Sequence, residues 1–130
     1  MTALPIGTRY SRKHTVSQAD INRFAAVSGD TNPIHIDPDA AAATRFGRTI
    51  AHGMLLYGYI RAALRMIVPT GVQRTQTLSF TNPVFANDEI EIVVEVMESN
   101  HEQLRCAVSV TRSDDKTACS GETVLAIEHG

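Results

Sequence analysis

The chain has 130 residues, 43% of them hydrophobic and 20% charged, with no tryptophan and a formal net charge of −2. That length fits a single domain, residues 1–130, with an aliphatic core, and the composition excludes disorder. The balanced charge, with no basic block, excludes broad electrostatic binding to nucleic acid or a membrane surface.

Taken in chain order, Met1-Thr2-Ala3-Leu4-Pro5 lacks the charged and apolar regions of a secretory signal, so the expected location is cytoplasmic. Ser17-Gln18-Ala19-Asp20 is a capping-box variant, with Asp at its fourth position, and opens a helix carrying Ile21, Phe24, Ala25 and Ser28. Gly29 is its natural left-handed stop. Residues 30–36 read as a short, stiff loop: Pro33 fixes its own φ and pushes Asn32 toward extended geometry, so no helix is expected between Asp30 and His35. Asp37-Pro38 starts a second helix, propagated through Ala40–Ala43 and ended by Gly47.

Residues 54–68 form the third and longest helix, stopped by Pro69-Thr70-Gly71. Arg61 and Arg65 lie four apart on one narrow stripe, which argues against a membrane span; Leu55, Leu56, Ile60 and Leu64 help cover the rest. A helix apolar around most of its girth must be enclosed. The enclosing strands follow. Ile90, Ile92, Val94 and Val96 alternate along one face, as do Leu104, Cys106, Val108 and Val110. Thr123–Glu128 gives another strand and Val72–Phe80 a weaker, more polar one, with turns at Asn87-Asp88 and at residues 113–116. Cys106 and Cys119 lie in apolar stretches and read as small buried residues, neither a disulfide framework nor a zinc site. The predicted class is α+β, an antiparallel sheet layered with a long helix; wrapping the sheet around that helix is one arrangement among several.

Two polar side chains on the stiff loop, Asp30 and His35, can reach opposite sides of one small molecule such as water. Hydration or dehydration of a double bond beside a carbonyl needs such a pair, one group removing a proton from water and the other delivering one to the α-carbon. It also needs a donor for the negative charge that builds on the carbonyl oxygen. Ala51-His52-Gly53-Met54 offers that donor at the start of the central helix, where the first N–H groups are unpaired and at the positive end of the dipole. Gly53 has no side chain to block a thioester oxygen, and Thr49 is the nearby cap candidate. Blander roles exist: an Asp–His loop hydrogen bond, Gly53 as simple packing, and His52 filling space under the loop. A metal site from Asp30, His35 and His52 can be drawn, but nothing in the sequence supplies further ligands, so no metal is expected. Ser28 lacks the base and the turn of a nucleophile.

The run Phe24-Ala25-Ala26-Val27-Ser28-Gly29-Asp30-Thr31-Asn32-Pro33-Ile34-His35, with Ala41 after it, resembles the hydratase 2 motif of MaoC-like (R)-specific enoyl-CoA hydratases, without a departure inside the motif. Phe46-Gly47-Arg48-Thr49-Ile50-Ala51-His52-Gly53-Met54 is similar to the family's segment leading into its central helix. The resemblance covers nearly the whole chain and implies a hot-dog fold, an antiparallel sheet wrapped around a long central helix. It implies reversible syn addition of water to trans-2-enoyl-CoA, giving (R)-3-hydroxyacyl-CoA, without metal or redox cofactor. The same resemblance makes Asp30 and His35 the catalytic pair, Asn32 an orienting group for the water or for His35, and the Gly53 N–H the oxyanion donor. Dehydration of a 3-hydroxyacyl chain on acyl carrier protein, or of a branched thioester, is the alternative. Which of Asp30 and His35 is the base stays open. The expected partners are an acyl-CoA substrate and a second copy of the chain, since exposed sheet edges need covering. Arg45 and Arg48, together with Arg61 and Arg65, are the candidates for contact with the CoA tail.

Overall fold

The computed structural model describes residues 4–128, so Met1–Ala3 of the leading segment lie outside it. The first strand, β1 (Arg9–Thr15), escapes a search for apolar alternation because Arg9, Arg12, Lys13 and His14 crowd its seven residues. It is an edge strand held by backbone pairing to β4, and charged side chains suit an edge. Helix α1 (Gln18–Ser28) begins as expected, with the Ser17 hydroxyl accepting from the Asp20 N–H, and ends on Gly29 at φ 80°.

The next segment departs from expectation. Pro33–Ile36 is a one-turn helix, α2, where the sequence reading placed a loop with no helix. Asn32 is extended, as a residue before proline must be, but that makes it an N-cap, and Pro33 takes the first helical position, where its missing N–H costs nothing. Helix α3 (Pro38–Ala42), capped by Asp37, stops well before Gly47, which instead supplies a left-handed turn at φ 77°.

Helix α4 (Gly53–Ile67) is the central one. Its Leu55, Leu56, Ile60, Ala63 and Leu64 are buried, each large aliphatic contributing about 1.5–3 kcal/mol by leaving water. It packs on β1, β4 and β5. The predicted strand between residues 72 and 80 is two pieces, β2 (Gly71–Gln76) and β3 (Ser79–Phe80), both paired to β6. The link between them crosses so close to β6 that a Cβ on Gly121 would run into the Thr77 carbonyl. Strands β4 (Glu89–Ser99), β5 (Gln103–Arg112) and β6 (Thr117–Ile127) complete an antiparallel sheet in the order β1-β4-β5-β6-β2.

The alternation holds: Ile90, Ile92, Val94 and Val96 of β4 and Leu104, Cys106, Val108 and Val110 of β5 all face the core. Strand β6 begins six residues earlier than expected, because Ala118 and Cys119 are buried side by side at its start and blur the alternation. Both cysteines are free and buried, and burial pushes each thiol up to about 11. The whole is the expected α+β layer, a six-stranded sheet folded around α4.

Candidate active site

The polar loop is organised by its own side chains. The Ser28 hydroxyl accepts from the Asp30 N–H at 3.1 Å, Asp30 Oδ1 from the Asn32 N–H at 3.4 Å, and Asn32 Oδ1 from the Ile34 N–H at 3.1 Å. These local bonds turn the chain from α1 into α2 and set Asp30 and His35 on the same side. Asn32 oxygen is thus engaged in capping α2.

His35 is held from two directions. Its ring Nδ1 lies 2.8 Å from the Ile50 carbonyl, and its own carbonyl accepts from Gln18 Nε2 at 2.9 Å. A carbonyl only accepts, so in the neutral ring Nδ1 carries the proton and Nε2 the lone pair. That Nε2 stands 3.9 Å from Asp30 Oδ2, too far for a direct hydrogen bond and close enough for one small molecule to bond to both. The His35 side chain is 12% exposed and that of Asp30 56% exposed, so the pair opens outward through the carboxylate.

Behind the pair lies His52, which is 3% exposed and stacks on the His35 ring at 3.8 Å between centroids. It occupies the N-cap of α4 without making a side-chain cap bond. Thr49, the expected cap, instead donates its hydroxyl to Gln18 Oε1 at 2.7 Å. The Gly53 N–H, at the first position of α4, donates to no backbone acceptor among the described residues.

Gly53 also forms part of the wall of a groove of about 400 Å³, shared with Arg45, Ile50, Leu56, Phe80 and Val84. Phe80 lies close over Gly53: a Cβ there would come 2.8 Å from the ring. Neither Asp30 nor His35 lines this groove; His35 is linked to it through its bond to the carbonyl of Ile50, which does. A larger hollow of about 560 Å³ on the outer face of the sheet, over Val93, Ala107 and Ser120, holds no imidazole, and chemistry favours the groove.

The two arginines expected at the CoA tail part company. Arg45 lines the groove and lies over the Phe46 ring. Arg48 pairs with Asp88 at 3.2 Å and covers the Phe85 ring, outside the groove lining. Arg61 and Arg65 line a small cleft at the far end of α4. Asp30, His35 and His52 each offer a metal-ligand atom within 4.8 Å of one another. One nitrogen of each ring is already occupied, by the carbonyls of Ile50 and Asp30, and the second nitrogen of His52 is sealed from solvent. Sequence reasoning missed Gln18 and Phe80. Gln18 looked like an ordinary first-turn residue, and only tertiary contact shows it tying α1 to His35 and Thr49.

The comparisons agree with this geometry. The family described as MaoC like domain matches residues 3–118. A 3-hydroxybutyryl-CoA dehydratase of Methylorubrum extorquens is 38% identical over 95% of this chain and 81% of its own length. An (R)-specific enoyl-CoA hydratase of Aeromonas caviae is 40% identical over 72% of each chain. The solved structure of an unliganded R-hydratase from Pseudomonas aeruginosa superposes with a TM-score of 0.92 at 35% identity, covering 98% of this chain and 84% of that one. With the motif, the fold and these likenesses in agreement, the chain belongs to the MaoC-like family of hot-dog hydratases and dehydratases, and with it to the hydro-lyases.

Proposed function

We propose that this protein is an (R)-specific enoyl-CoA hydratase, adding water to trans-2-enoyl-CoA in the syn sense to give (R)-3-hydroxyacyl-CoA. The observation that carries the reading is the 3.9 Å gap between His35 Nε2 and Asp30 Oδ2, together with the Gly53 N–H, which follows the His52 stacked on His35 and donates to no backbone acceptor among the described residues. Water in that gap gives a proton to the Nε2 lone pair as its oxygen bonds to the β-carbon. The double-bond electrons move toward the thioester oxygen, where the Gly53 N–H stabilises the charge; one such donor is worth about 2.7–4 kcal/mol. The α-carbon then takes a proton from the Asp30 carboxyl, which enters the step protonated, and the proton held on Nε2 crosses the gap to the resulting Asp30 carboxylate, restoring the pair. The thioester supplies the activation, so the reading includes no metal and no redox cofactor.

Arg45 on the groove wall is the side chain that meets the CoA phosphates in this reading, while Arg48 is drawn off by Asp88. Asn32 acts by fixing the turn that carries Asp30 and His35. The working unit is a homodimer, a proposal supported by the exposed stripe of Met54, Gly58, Ala62 and Met66 on α4. No helix among the described residues is long and apolar enough to cross a membrane, and the proposed location is the cytoplasm.

Crotonyl-CoA hydration is the test. Asp30→Ala and His35→Ala should each abolish it while circular dichroism shows the fold intact, and the wild-type product should be the (R) enantiomer on chiral analysis. Full activity in either variant sinks the reading. Dehydration of 3-hydroxyacyl chains on acyl carrier protein is the second reading, favoured by the 56% exposure of the Asp30 side chain, which leaves the pair open to a large carrier. Comparing kcat/KM on CoA and carrier-protein thioesters of equal chain length separates the two.

A further inference from the structure

His52 takes neither part in the proton transfer above, yet it is the most enclosed polar side chain at the site. Its Nε2 lies 2.8 Å from the backbone carbonyl of Asp30. Its ring is stacked on His35 with an interplanar angle of 23°, and Phe24 packs against it at 4.8 Å between centroids. Its Nδ1 is buried and meets no hydrogen-bond partner.

These contacts set the tautomer of the neutral ring. The Asp30 carbonyl accepts only, so Nε2 carries the proton and Nδ1 the lone pair. The titratable groups that face His35 are Asp30, from the α1–α2 link, and His52, from α4; α1 faces the pair with the uncharged Phe24 and Gln18.

The bond to Asp30 has a use. Among the described residues, the other hydrogen bonds of Asp30 are to Ser28 and Asn32 in its own turn. The bond from His52 is what ties Asp30 to α4, and the same ring supports one face of His35. We propose that His52 is a positioning residue that sets the Asp30–His35 spacing from the N-terminus of α4. This rests on the hydratase reading of the pair.

Two variants and one spectrum test it. His52→Phe keeps an aromatic face under His35 and loses the donor; His52→Gln keeps a donor able to reach the carbonyl. The Phe variant should lose on the order of 100-fold in kcat, since misplacement by about 1 Å costs that much, with KM for crotonyl-CoA unchanged. The Gln variant should recover part of the loss, and the acid limb of the kcat/KM profile should stay where it is in both. Ring ¹⁵N spectra of the wild-type protein should show His52 as the Nε2–H tautomer. A His52 found as the Nδ1–H tautomer overturns the proposal, as does a folded His52→Phe protein with undiminished kcat. If the wild type turns over no enoyl thioester, the hydratase reading fails, while the spectra still decide the tautomer of His52.

Discussion

Gly53 is where one methyl group separates packing from chemistry. An added Cβ would lie 2.8 Å from the Phe80 ring, and because Phe80 is 51% exposed, the ring can swing outward. The strain is therefore modest, but the methyl would sit beside the N–H that receives the thioester oxygen. Gly53→Ala should melt within a few degrees of wild type and lose on the order of 10–100-fold in crotonyl-CoA kcat/KM, short of the roughly 10²–10³ expected when an oxyanion donor is removed outright. Steady-state kinetics beside a thermal melt would check it, and unchanged kinetics would remove Gly53 from the site. At this scale the sequence was eloquent about residue identity and silent about commitment. Asp30, His35 and Gly53 could be named from chemistry, but nothing local reveals that Arg48 is claimed by Asp88, forty residues away, or that Thr49 is claimed by Gln18.

Elements that declare themselves through repeated apolar spacing were legible: α1, α4 and the inner faces of β4 and β5 lie where periodicity places them. Elements held by backbone pairing or by a cap were not. β1 carries almost no apolar signal, and α2 needed the recognition that a proline after a cap residue starts a turn of helix as readily as it prevents one. What ties α1 to its neighbours is a polar contact invisible to periodicity. The Asp20 carboxylate lies 2.8 Å from His14 Nε2 on β1 and accepts from the Tyr59 hydroxyl on α4 at 3.0 Å. The bond to His14, opposed by burial and helped by Tyr59, holds Asp20 below its usual carboxylate value. A carboxylate depressed in the folded state contributes stability above its unfolded value, and that contribution drains away as pH falls through the folded one. Asp20→Asn should cost about 1–3 kcal/mol at neutral pH, the range for hydrogen bonds to a charged group and its abandoned partners. Urea denaturation should show the gap from wild type narrowing as pH drops below about 4. A gap that stays constant with pH would mean the charge on Asp20 contributes nothing.

For the whole molecule, the surface of α4 decides whether one chain suffices. Met54, Gly58, Ala62 and Met66 recur every fourth residue, all exposed, with Met54 at 55% and Met66 at 65%. Residues four apart line one face of a helix, so these form a continuous apolar stripe with a shallow middle that another backbone can approach closely. It begins at Met54, next to the proposed oxyanion donor, so whatever covers it also covers one end of the site. The partly exposed Asp30 fits a site that a second copy completes. Ala62→Glu separates fold from assembly. In an isolated chain the new carboxylate points into water and stability should change by no more than about 0.5 kcal/mol. Within a dimer it would place an unpaired charge in a dry contact, an expensive arrangement. Sedimentation velocity should therefore find the wild type dimeric and Ala62→Glu monomeric, with unchanged far-ultraviolet circular dichroism. A wild type that sediments as a monomer at micromolar concentration, or a variant that remains dimeric, would move the interface off this stripe.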